Sequence, residues 1–210
     1  HGDLHELGHG LERGRFRFEG WDGHASTNFY SYYSKSRYHL DTGSDPSCQN
    51  LPFDSLSSLL TQSTMEADPF SFMQAANLTS WSQGAAIYVQ IFKSAQAEGV
   101  VDDGWHVLGR LHILDREFNR ADNSDAEWLA ARETLGFTLF TREEAKALPK
   151  NDWLAIALSV VTQRDMRNYI HMWGLAIGND AQQQIAALNL PTMPTTFYDY
   201  PSNNAYCLGL

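Results

Sequence analysis

The feature that most constrains this 210-residue chain is the segment His5-Glu6-Leu7-Gly8-His9 near its beginning. Residues four positions apart lie on one face of an α-helix, so a helical segment lets His5 and His9 offer two imidazole nitrogens to the same Zn²⁺ ion. Glu6 would then lie beside the water that the zinc activates, where a carboxylate acts as general base. The spacing predicts a helix with a zinc-dependent site that hydrolyses amide bonds.

The same segment also allows a structural interpretation. Asp3 and Glu6 fit an N-terminal capping box, in which Glu6 would only cap the helix. The surrounding residues favour catalysis, because a buried active-site helix would have apolar residues and small residues that allow close packing. The residues of these two kinds are Leu4, Leu7, Leu11, Gly8 and Gly10.

Composition narrows the class of partner. The net charge of −10 and the isoelectric point near 5.1 argue against nucleic acid or an anionic membrane surface. No apolar run approaches the ~18–20 residues of a transmembrane helix, so membrane insertion is not expected. The two cysteines, Cys48 and Cys207, lack metal-ligand spacing. They form either one disulfide or two unrelated thiols, and the sequence leaves both alternatives open.

Start and stop signals along the chain predict a mainly α fold. The first helix is expected to end near Gly14. Residues 15–18 alternate as a short strand or extended connector does, and a helix rich in aromatic residues follows at about 24–38. A capping box at Ser80 and Gln83 opens the next predicted helix, and another at Ser124 and Glu127 opens a later one. The segment from Thr141 to Glu144 opens a short helix. The later helices are expected at 80–97, 104–118, from 124, from 141 to Pro149, 152–161, up to 174 and 180–188. We assign residues 1–40 to the active-site and third-ligand helices and 41–210 to the helical remainder of the same domain.

A catalytic zinc needs a third protein ligand and leaves the fourth position for water. Glu19, Asp22 and His24 each follow His9 closely enough to supply that ligand. The pattern favours His24, because Asn28 would lie one turn further along a helix that starts there and could orient a ligand histidine by a hydrogen bond. Glu19 is the main alternative.

Two segments together resemble a known family. H-E-L-G-H-G-L-E and W-D-G-H-A-S-T-N-F-Y-S-Y-Y look like the gluzincin-type peptidases that group the viral enhancins with bacterial mucin-degrading metallopeptidases. In that family a Glu after the H-E-x-G-H helix is the third zinc ligand, and alignment on Asn28 puts His24 at its position. Within the family, the chain is similar to the bacterial immunomodulating metalloproteases, which are secreted and cleave O-glycosylated proteins.

The resemblance implies a fold and an activity. The fold would be the C-terminal helical part of a zincin-type metallopeptidase catalytic domain, with the active-site helix at its start. Because the chain begins almost inside that helix, we expect it to be a fragment of a larger protein. The activity would be that of a zinc endopeptidase, secreted or on the bacterial surface, whose substrates are O-glycosylated, mucin-type proteins.

Glycan recognition uses aromatic faces and planar polar side chains. Trp21, Tyr30, Tyr33 and Arg37 are near enough in sequence to bind a glycan, although residues of these types are more often structural. An alternative function is a catalytically silent glycoprotein- or carbohydrate-binding module that retains the zinc motif. A third possibility is a structural zinc site in a helical interaction domain.

Overall fold

The computed structural model describes residues 2–44 and 53–198. Within these ranges the chain forms eleven α-helices and one turn of 3-10 helix, Gly14–Phe16, and the prediction of a mainly α fold is confirmed. The helices are α1 Gly2–Leu11, α2 Gly23–Thr42, α3 Phe53–Ser63, α4 Pro69–Ala75, α5 Trp81–Ala97, α6 His106–Ala121, α7 Asp125–Leu135, α8 Arg142–Lys146, α9 Lys150–Thr162, α10 Arg167–Met172 and α11 Asn179–Ala187.

Helix α2 lies between α1 and α5 and packs against both. Its start is set by Asp22, whose side chain accepts a hydrogen bond from the backbone N–H of His24, and its end by Gly43 in the left-handed region. The helix is therefore longer than the predicted 24–38. Phe29 packs on Tyr88 of α5 with ring centroids 4.5 Å apart, so the aromatic residues of α2 fix its inner face.

A second group of helices surrounds α9. Residues 152–159 of this helix are all buried, as expected of a helix that is apolar on most of its faces. Helices α6 and α11 both pack against α9, and α7 packs against α6. Trp153 lies at the centre, in ring contact with Phe118 of α6 and with Phe16 of the 3-10 turn.

The strand considered for residues 15–18 is not formed, and this segment is a connector. Phe16 and Phe18 are both buried, because each packs on a different helix: Phe16 on Trp153 and Phe18 on Tyr88. The alternation therefore reflects two packing directions and not one face of a sheet. In the described part of the chain, extended pairing is limited to an isolated bridge between Asp165 and Thr192.

Helix α1 differs from the prediction in length and burial. It ends at Leu11 and not near Gly14. Leu7 is 66% exposed and Leu11 is 50% exposed, so the expectation of a buried helix is wrong. Only the face that contains His5 and Gly8 is buried.

The helix-capping motifs in the sequence are formed in some places and not in others. The capping box at Thr141 is complete, with Glu144 as its partner. The one predicted at Ser80 is not formed, because the Ser80 hydroxyl donates to the carbonyl of Asn77 instead of accepting from the helix. The sequence also missed α3 and α4. Cys48 and Cys207 lie outside the described residues, and no helix in the described ranges is long and apolar enough to cross a membrane.

Candidate metal centre

Three histidines from α1 and α2 come together at one point of the structure. One ring nitrogen from each of His5, His9 and His24 lies within 4.8 Å of the others, and no other cluster of this kind occurs in residues 2–44 and 53–198. The ring centroids of His5 and His9 are 4.9 Å apart, and that of His24 is 5.3 Å from each. The i, i+4 pair on α1 and the first turn of α2 thus converge.

The close approach of α1 to α2 depends on Gly8. A Cβ atom at this position would lie 2.7 Å from the carbonyl oxygen of Thr27 on α2. At Gly10, by contrast, a Cβ atom would meet nothing within 4 Å. Gly8 therefore allows the packing that was expected of both glycines, whereas Gly10 faces open space.

Each of the three imidazoles has an oxygen acceptor near its Nδ1 atom. Such an acceptor keeps the proton on Nδ1 and so places the lone pair on Nε2, the usual arrangement of a metal-binding histidine. The pairs are His5 with Asn28 Oδ1 at 3.0 Å, His9 with Glu12 Oε1 at 3.4 Å and His24 with Asp22 Oδ1 at 2.9 Å. Three imidazoles oriented in this way fit a divalent metal such as zinc.

Of these acceptors, the sequence identified only Asn28. Asp22, which was weighed as a ligand, instead contacts a candidate ligand. Glu12 was not considered, although it follows His9 by three residues, a spacing that brings side chains together on a helix. The hydroxyl of Thr27 donates to Glu12 Oε2, which fixes this carboxylate between α1 and α2.

Glu19, the alternative third ligand, lies apart from the cluster. It is exposed, and its backbone N–H donates to Asn151 Oδ1 at 2.7 Å. The structure therefore brings His24 to His5 and His9, and not Glu19. Glu6 directly follows His5 on α1, and its side chain is exposed to solvent.

The candidate substrate-binding residues have different environments. Trp21 is 4% exposed, and its Nε1 donates to the carbonyl of Gly84, so it forms part of the core. Tyr30 is half-buried and its hydroxyl donates to the carbonyl of Leu11. Its hydroxyl oxygen also lies 2.9 Å from Nε2 of His112. Burial raises the pKa of Tyr30, with the Arg13 cation opposing this effect.

Tyr33 and Arg37 are closer to solvent. The guanidinium of Arg37 lies over the ring of Tyr33 at 5.2 Å and pairs with Asp103 at 2.6 Å. Tyr30 and Tyr33 also line a groove of about 630 Å³ between α2 and α6, together with Trp105 and other residues. The exposed ring of Tyr33 could therefore contact a ligand, whereas Arg37 is already engaged by a carboxylate.

One aromatic residue at the site was missed by the sequence analysis. Trp81, the first residue of α5, stacks on His24 with a centroid distance of 4.2 Å and an interplanar angle of 6°. No local signal links it to the H-E-L-G-H helix, because it reaches the site only through the packing of α5 on α2.

A helical fold with three convergent histidines on an H-E-L-G-H helix and its neighbour resembles the catalytic region of a metallopeptidase. The immunomodulating metalloprotease of Pseudomonas aeruginosa is 25% identical over 218 aligned positions, which cover 98% of this chain and 23% of the relative. The solved IMPa metallopeptidase of the same organism matches 97% of this chain and 24% of its own length, with a TM-score of 0.77 and 25% identity.

Two further solved structures show the same likeness. The IMPa metallopeptidase in complex with T-antigen has a TM-score of 0.77 at 24% identity, and IMPa in complex with an O-glycopeptide has a TM-score of 0.76 at 25% identity. The resemblance indicated by the sequence is confirmed. No protein-family model matches the chain. The chain spans about a quarter of the length of the relatives it matches.

Proposed function

We propose that this chain contains the metal site of a zinc endopeptidase that cleaves O-glycosylated, mucin-type proteins. The observation behind the proposal is the convergence of His5, His9 and His24 within 4.8 Å, each with an oxygen acceptor near Nδ1. Similarity in sequence and fold to a metalloprotease supports the reaction class.

In this proposal the three histidines bind the metal and Glu6 transfers protons. When bound to the three histidines, zinc would polarise the scissile carbonyl and lower the pKa of a water molecule. Glu6 then takes a proton from the attacking water and delivers it to the leaving amine nitrogen. Asn28, Glu12 and Asp22 hold the imidazoles in orientation during these steps.

The substrate class is proposed from the relatives. Structures of the IMPa metallopeptidase are in complex with T-antigen and with an O-glycopeptide, which supports a mucin-type substrate here. On the chain itself, the exposed Tyr33 is the best placed of the predicted glycan-binding residues. Secretion, or a location on the bacterial surface, is proposed from the family resemblance alone.

The test compares the unchanged protein, within a chain long enough to be active, with Glu6→Gln. Zinc content and cleavage of an O-glycosylated protein are measured in parallel. We expect about one zinc per chain in both proteins and a loss of cleavage of about 10²–10⁴-fold in the variant, the usual contribution of a general base. The matched control is Glu66→Gln, the same change at an exposed position outside the cluster, and it should leave both quantities unchanged.

Three results would contradict the proposal. The first is an unchanged protein that binds no zinc. The second is cleavage by Glu6→Gln at the unchanged rate. In the third, both proteins bind the glycoprotein with equal affinity and neither cleaves it under any metal condition, which is the behaviour of a silent binding module.

A further inference from the structure

Trp81 forms an aromatic wall of the histidine cluster. Its ring is nearly parallel to that of His24 at 4.2 Å and to that of His5 at 5.6 Å, with interplanar angles of 6° and 4°. The side chain is nevertheless 42% exposed. The other tryptophans of the described residues are all buried. Trp81, by contrast, stays partly exposed to water while it lies against two candidate metal ligands.

The backbone at Trp81 is strained. Its φ angle of +35° lies in the region that bulky L-residues rarely adopt. Such conformations persist only where surrounding structure enforces them, and they are concentrated at functional sites. An observed outlier beside a metal centre therefore suggests a role for the side chain.

Contacts on both sides of Trp81 in sequence, at Thr79 and at Gly84, hold this segment against the start of α2. The backbone N–H of Asp22 donates to the carbonyl of Thr79 at 2.9 Å. A Cβ atom at Gly84 would lie 2.9 Å from Cβ of Ala25, so only glycine allows the helices to approach so closely. Trp81 is thus held at a fixed position relative to the turn of α2 that contains His24.

We propose that Trp81 is a positioning residue for the metal centre, and this inference rests on the proposed function. The hydrogen bond from His24 Nδ1 to Asp22 fixes one direction of the imidazole but leaves the ring plane able to rotate about that direction. A parallel indole at 4.2 Å restricts this rotation. The stacking contact therefore directs Nε2 of His24 towards the position where the nitrogens of His5 and His9 converge.

The test measures zinc affinity by competition with a chromophoric chelator. We expect Trp81→Ala and Trp81→Gly to bind zinc about three- to tenfold more weakly, the range expected for loss of one aromatic stacking contact. Trp81→Phe, which keeps a flat ring, should stay within about twofold of the unchanged protein. The control Tyr38→Ala removes another exposed aromatic side chain, away from the cluster, and should have no effect.

Two measurements distinguish a role of Trp81 in positioning His24 from a general role in the stability of the fold. Because φ is positive, Trp81→Gly should unfold at a temperature equal to or above that of Trp81→Ala without metal, even though both bind zinc weakly. In the background of His24→Ala, Trp81→Ala should cause no further loss of zinc affinity. A general structural role would instead lower zinc affinity in both backgrounds.

The outcomes also separate this inference from the proposed function. If the unchanged protein binds no zinc, or if His24→Ala binds zinc as tightly as the unchanged protein does, both the proposed function and the role of Trp81 are contradicted. If His24→Ala loses zinc while Trp81→Ala and Trp81→Gly bind it normally, only the role of Trp81 is wrong. Equal losses from Trp81→Ala with and without His24 would overturn it as well.

Discussion

At the scale of single residues, Asp22 has two roles at once. Its Oδ1 atom lies 2.8 Å from the backbone nitrogen of His24 and 2.9 Å from Nδ1 of the same residue. It therefore caps α2 and orients the imidazole that the helix presents. A carboxylate in this position also makes a ligand histidine more basic, which strengthens its bond to a metal.

We predict that Asp22→Ala weakens zinc binding by about 10–100-fold, the usual cost of removing a carboxylate that orients a ligand histidine. Asp68→Ala is the matched control, because Asp68 caps α4 in the same way but has no contact with the cluster. Both variants lose a helix cap, so only Asp22→Ala should change the affinity measured by chelator competition. Equal affinities in the two variants would contradict this role.

A second prediction concerns His112 and pH. Burial lowers the pKa of His112 below its usual 6.5, the Arg13 cation lowers it further and Asp115 opposes the shift. Between the lowered folded-state pKa and 6.5, the unfolded chain binds more protons than the folded protein. The contribution of His112 to stability is therefore complete above pH 6.5 and is lost as the pH falls through that window.

Urea unfolding of the unchanged protein and of His112→Gln at several pH values between 5 and 7.5 tests this. The free energy of unfolding should fall more steeply with decreasing pH in the unchanged protein than in the variant. Parallel pH profiles would show that His112 is not the group responsible.

The sequence was sufficient to find residues whose relation to the site is local. His5, Glu6 and His9 follow from helix periodicity, and His24 with Asn28 from the start of one more helix. Glu12 could have been found by the same spacing. Trp81 could not, because its contact with His24 depends on the packing of α5 against α2.

At the scale of secondary structure, two glycines of α1 have opposite environments. A methyl group at Gly8 would lie 2.7 Å from the carbonyl of Thr27, whereas one at Gly10 would have open space. Both positions are in the same helix, so an alanine at either should bring the same gain in helix propensity. Only the contact with α2 distinguishes them.

We predict that Gly8→Ala lowers the free energy of unfolding by about 1–3 kcal/mol, because α1 must move away from α2. Gly10→Ala should raise it by about 0.5–1 kcal/mol. Denaturant unfolding measures both effects, and chelator competition should show weaker zinc binding in Gly8→Ala alone. Equal changes in the two variants would mean that α1 does not cross α2 at Gly8.

The helices that the sequence predicted best have local start signals. Thr141 and Glu144 form a complete capping box, and at Ser124 half of the predicted box is formed, since its side chain accepts from the backbone N–H of Glu127. The sequence predictions are wrong where tertiary packing, and not the local sequence, determines the conformation or the burial of a residue. Residues 15–18 alternate without forming a strand, since the two phenylalanines pack on different helices, and Leu7 faces solvent although the pattern of α1 is apolar there.

At the scale of the whole molecule, the histidine cluster and the α9 core are joined by a short connector. Arg15, in the 3-10 turn after α1, binds Asp115 of α6 at 3.2 Å and lies over the ring of Phe118 at 4.8 Å. This anchors the segment between α1 and α2 to the second group of helices. The position of the histidines is therefore set by the fold as a whole and not by the H-E-L-G-H helix alone.

The measurement that tests the three-histidine centre most directly is zinc affinity by chelator competition, on the unchanged protein, His24→Ala and Glu19→Ala. The unchanged protein and Glu19→Ala should bind one zinc with equal affinity, and His24→Ala should bind it roughly a hundredfold or more weakly, because a catalytic zinc needs three protein ligands. Loss of zinc in Glu19→Ala with normal binding in His24→Ala, or no zinc binding by the unchanged protein, would contradict it.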